Sequence, residues 1–110
     1  MKVKEFKIGG VKYLVEYVDQ LVSGNDTLYG LHMPTESMIK LATKVADSKV
    51  GDDLRDIAFY HELLHAMFFM AGLNLDHAVE EDAVRRLSPF LKEYLDTVIF
   101  EKDKRVGRKR

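Results

Sequence analysis

Two different periods of hydrophobicity divide the chain. Near the N-terminus Val3, Phe6 and Ile8 precede Gly9-Gly10, and Val11, Tyr13, Val15 and Tyr17 then fall on one face of an extended segment. Period-two alternation on either side of a glycine pair predicts a β-hairpin. The piece "SGNDTLYG" is rich in turn formers, and "LYGLHM" and "SMIKLA", separated by Pro34, predict two more short strands. From Asp52 the pattern becomes helical and runs to Ala71, with Asp52 or Asp53 as cap and Gly72 as stop. A further helical stretch, "HAVEEDAVRRLSPFLKEYLDTVIF", follows Asn74 or Asp76 as cap, with Pro89 expected to break or kink it. Strands first and helices afterwards predict an α+β domain: a small N-terminal antiparallel or mixed β-sheet, then one long helix and C-terminal helices.

Length and composition narrow the class. The 110 residues, 46% hydrophobic and 32% charged, predict one globular domain over 1–100. The remaining 101–110, "EKDKRVGRKR", reads as a basic, solvated, flexible tail. The net charge of −1 gives no general attraction to nucleic acid. No apolar run approaches the ~18 residues of a membrane span, and the N-terminus lacks the apolar core of a secretory signal. A cytoplasmic location is therefore expected. With no cysteine, only histidines and carboxylates remain as candidate metal ligands.

The stretch "AFYHELLHAMFFMAG" raises the chemical question. Between Ile57 and Leu73 the only ionisable groups besides Tyr60 are His61, Glu62 and His65, set in a helix that is apolar nearly all round. Unpartnered polar groups in such a place cost roughly 2–7 kcal/mol each. His61 and His65 lie about 40° apart in helical projection, so both imidazoles can reach one ion, with Glu62 on the neighbouring flank. This is the HExxH pattern, in which two histidines bind zinc and the glutamate acts on water. A plain pair of core histidines is the competing reading. Met67, Phe68, Phe69 and Met70, at helical spacing, read as core.

A catalytic zinc takes three protein ligands and leaves a position for water. In the next helix Glu80 projects near the centre of the apolar stripe formed by Ala83, Val84, Leu87 and Leu91, while Glu81 lies toward its edge. Glu80 is thus the expected third ligand and Glu81 the reserve. Glu80 as a carboxylate favoured by the helix N-terminus is the competing role. His77 is a further candidate, as ligand or as a group that polarises substrate.

The residues "HELLH" followed by "EEDAVRRL" resemble the gluzincin branch of zinc metallopeptidases, especially the minimal versions encoded by phages and mobile elements. The resemblance spans Ile39 to Leu91. It implies a zincin-like fold in which a strand leads into the HExxH helix, a second helix brings a glutamate ligand, and a strand edge holds an extended peptide. It assigns His61 and His65 as zinc ligands, Glu62 as catalytic base and Glu80 or Glu81 as the last ligand. Two departures stand out: the gap from His65 to Glu80 is short, and no residue clearly matches the family's transition-state-stabilising Tyr or His. His77, Tyr60 and Tyr29 are the candidates for that role. The metzincin pattern fails, because Phe68 and Ala71 stand where it needs Gly and His.

The expected function is that of a zinc-dependent peptidase acting on a peptide or protein substrate. The alternative is a non-catalytic, zinc-stabilised binding or regulatory module that contacts a protein or nucleic-acid partner. A fourth protein ligand such as His77 would favour the second, because a filled shell leaves no water to activate. "SMIKLA" is either the exposed edge strand or a central one.

Overall fold

A computed structural model describes residues 2–101. The expected tail, apart from Glu101, lies outside the described residues. The chain begins with strands β1 (Glu5–Ile8) and β2 (Val11–Val18), joined through Gly9 and Gly10 at φ +56° and +81°. Two successive positive φ angles make the tight turn whose twist suits a hairpin. Phe6 lies opposite Tyr13 and stacks on it with ring centroids 5.3 Å apart. Two short strands, β3 (Leu21–Ser23) and β4 (Asp26–Leu28), form a second hairpin where only turn was expected.

The main sheet is completed by β5 (Gly30–Met33) and β6 (Met38–Ala42), with a 3-10 turn at Pro34–Glu36 between them. Its order is β1-β2-β6-β5, antiparallel except for the parallel β2–β6 pair. "SMIKLA" is therefore central, and the edge beside the helices belongs to β5. The register places Val15 against Ile39, Tyr17 against Leu41, Gly30 against Leu41 and His32 against Ile39. Period-two geometry turns Tyr13, Val15, Ile39 and Leu41 to one face, where all four are buried. Each such side chain contributes about 1.5–3 kcal/mol by leaving water. A last small hairpin, β7 (Lys44–Val45) with β8 (Ser48–Lys49), precedes the helices.

Helix α1 (Asp52–Met70) lays Ala58, Phe59, Tyr60 and Ala66 on the sheet. Its N-cap is Gly51 and not an aspartate; Asp52 and Asp53 occupy the first turn, where their charge complements the helix dipole. Its end is a Schellman motif: Gly72, at φ +73°, donates to the Phe69 carbonyl and Leu73 to that of Phe68. That turn sends α2 (His77–Thr97) back along α1, with Val84 and Ser88 buried and Asp76 at its N-cap. The expected break at Pro89 does not occur, so there is one C-terminal helix. Arg85, whose carbonyl loses its bond to the proline nitrogen, is on the exposed side with Pro89, where water can replace the missing donor. Among the described residues, no helix is long and apolar enough to cross a membrane.

Candidate metal centre

The antiparallel return of α2 brings its first turns over the middle of α1. There the Glu81 carboxylate spans both histidines: Oε2 lies 3.1 Å from His61 Nε2, and Oε1 lies 2.9 Å from His65 Nε2. The imidazole centroids are 5.1 Å apart. One ligand atom from each of His61, His65 and Glu81 falls within 4.8 Å of the others, so this group can hold a metal ion. The donor set fits: two neutral nitrogens and one carboxylate are a common shell for a borderline-soft dication. Donors about 2.1 Å from a tetrahedral ion are about 3.4 Å apart, so a small outward relaxation of Glu81 accommodates one.

Glu80, the first choice for third ligand on the sequence, is placed differently. Its Oε2 lies 2.5 Å from His65 Nδ1, the nitrogen that faces away from Glu81. A carboxylate there fixes the ring and directs the lone pair of Nε2 toward an ion. Both carboxylates therefore reach His65, and Glu81, the reserve ligand, is the one that spans the two histidines. His77 lines the same cleft but is exposed and stands outside the metal-holding group.

Charge follows this geometry. Burial opposes a proton on His65, yet the carboxylates of Glu80, Glu81 and Glu62 outweigh it and raise its pKa. His61 shifts the other way, because burial outweighs the attraction of Glu81. Burial favours protonated Glu81, but the two histidines outweigh it and hold its pKa down.

Glu62 is the most buried carboxylate of the site, 9% exposed. Desolvation pushes its pKa up to about 7, with Glu81 adding to the effect and His65 opposing it. The backbone amide of His32, on edge strand β5, donates to it. Glu62 also lies against Gly30 on the same strand, where a β-carbon would come within 2.9 Å of its Cγ. Helix and edge strand thus fit together at this carboxylate.

A cleft of about 830 Å³ opens over the cluster. Its wall includes Gly30, Leu31 and His32 from β5, Phe69 from the end of α1 and Leu73 from the turn after it. The Met and Phe run, expected in the core, is split: Met70 packs against the core and Phe68 is half-buried, whereas Met67 and Phe69 are exposed. Tyr29 also lines the cleft, whereas Tyr60 packs on Phe59 in the core.

Sequence reasoning missed Gly30, His32 and Tyr13 as parts of the site. His32 is held by Tyr13, whose fully buried hydroxyl lies 2.9 Å from His32 Nε2, and its ring meets the edge of Phe69. The available signal was the pair Gly30 and His32, two apart on a predicted strand and so on one face. No protein-family model, curated protein or solved structure matches the chain.

Proposed function

We propose that the chain is a zinc-dependent peptidase, with His61, His65 and Glu81 holding the ion, Glu80 orienting His65, and Glu62 serving as general base. The observation that carries this reading is the position of Glu62. It follows His61 on α1 and lies on the cleft wall, yet it stays out of the metal-holding group and is anchored by the amide of His32. A carboxylate so placed is free to act on a water.

Zinc bound there supplies a Lewis acid that brings the pKa of water to about 7 and polarises a carbonyl. Glu62 takes the proton of the attacking water and returns it to the leaving amine, so one carboxylate is base and then acid. Apart from the His32 amide, which Glu62 engages, the outer backbone groups of β5 pair with no strand of the main sheet and offer an extended peptide a strand to pair with beside the cluster. An ion held by these three ligands alone would keep a fourth position for water, which supports the peptidase over the structural module.

Two measurements on purified protein test the proposal. Elemental analysis should return about one zinc per chain. A broad peptide library should be cut by the zinc-loaded protein and spared after chelation. A protein that holds zinc in a closed shell and cuts nothing supports the binding module.

A further inference from the structure

Helix α2 has two adjacent apolar stripes, and only one is covered. Val84, Ser88 and Leu91 face α1 and are buried or half-buried. The neighbouring stripe, Ala83, Leu87, Phe90 and Tyr94, repeats at spacings of four, three and four, as a coiled-coil seam does. Its three large members are exposed, Phe90 to 67%. Beyond the helix Ile99 and Phe100 are 92% and 79% exposed. An apolar surface this continuous marks an interaction face.

We propose that this face binds a second copy of the chain, with the two α2 helices antiparallel about a two-fold axis between Ser88 and Pro89. Self-complementarity identifies the occupant. In antiparallel order Leu87 meets Phe90 of the second copy, and Ala83 meets its Tyr94, so each small or medium side chain faces a large ring. The row flanking the seam on the side away from α1 reads Val79, Arg86 and Glu93. In antiparallel order Arg86 of each copy then lies against Glu93 of the other, so the charges pair twice. An isologous interface requires this reciprocity. Arg86 now pairs only with Asp82 on its own helix, 3.0 Å away and exposed, and Glu93 has no ion pair among the described residues.

The test is sedimentation equilibrium of the full chain, wild type and variants, with circular dichroism to verify folding. Wild type should be a dimer. Phe90→Glu should weaken association about 30-fold or more, as removal of a central aromatic anchor does; Tyr94→Lys serves the same purpose if that variant does not fold. Arg86→Glu and Glu93→Arg should each weaken it about 5- to 10-fold by setting like charges opposite one another, and the double exchange should restore it. A monomeric wild type at about 100 μM overturns the proposal, since a standard interface associates more tightly than that. A dimer indifferent to Phe90, Tyr94 and the charge exchange also overturns it, by placing the contact on another face.

Discussion

Gly30 and Glu62 meet so closely that a β-carbon on Gly30 would sit 2.9 Å from Glu62 Cγ and 3.3 Å from its Oε2. On the other side the same β-carbon would lie 3.1 Å from a Leu41 methyl. No positive φ requires glycine at this position; the close approach of the helix does. The edge strand and the proposed general base are thereby tied together, and the tie has consequences for stability and for the proposed reaction.

Gly30→Ala should force Glu62 or β5 to shift. Overpacking of this kind costs about 1–3 kcal/mol, readable as a lower denaturant midpoint. Zinc content should persist, because the ligands lie on α1 and α2, while hydrolysis falls. Unchanged stability and turnover would mean that the contact imposes no constraint.

The two neighbouring glutamates should separate by role. Glu81→Gln removes an anionic oxygen from the metal group and should cost most of the zinc affinity. Glu80→Gln keeps a hydrogen-bond acceptor near His65 Nδ1 and should cost about 10- to 100-fold, the scale for a residue that orients a ligand. Competition with a chromophoric chelator measures both. The reverse ranking would return the ligand role to Glu80, where the helical projection had put it.

A pH experiment on metal-free protein isolates Glu62. Its pKa lies at about 7 in the fold, above the ordinary value of 4.5. Between those two values the folded chain holds more of this proton than the unfolded chain does, so this group's contribution to stability falls as pH rises. His65, also raised, has the same sign near and above 6.5, whereas Glu81, lowered, loses its contribution as pH falls below 4.5. The melting temperature of wild type relative to Glu62→Gln should therefore decline from pH 4.5 to 7 under chelator. A difference that is flat or rises across this window would contradict the burial of Glu62.

Much of this was legible in the chain because it depends on local periodicity. Gly9-Gly10 announced the first hairpin, Gly72 the end of α1, and the spacing of His61 and His65 a shared ligand point. What was not legible depends on contacts between elements. Whether "SMIKLA" is edge or centre is decided by which strands flank it, and β5 was too short for its pattern to show that it forms the edge. The choice between Glu80 and Glu81 turns on the phase of α2 against α1, which the loop from Leu73 to Asp76 sets. Whether Pro89 breaks its helix depends on whether water can reach the Arg85 carbonyl, and that is a property of the packed helix. Tyr13 and His32 lie far apart in sequence and meet only through the parallel β2–β6 pairing.

The central claim, that Glu62 acts on water while His61, His65 and Glu81 hold the ion, is tested most directly by the turnover of zinc-loaded Glu62→Gln. The substrate is a peptide that wild type cleaves, and metal content and fold are verified alongside. The substitution keeps the size and removes the base, so zinc and melting behaviour should stay near wild type while cleavage drops about 10²–10⁴-fold. Cleavage at the wild-type rate by a fully loaded Glu62→Gln protein would contradict the account.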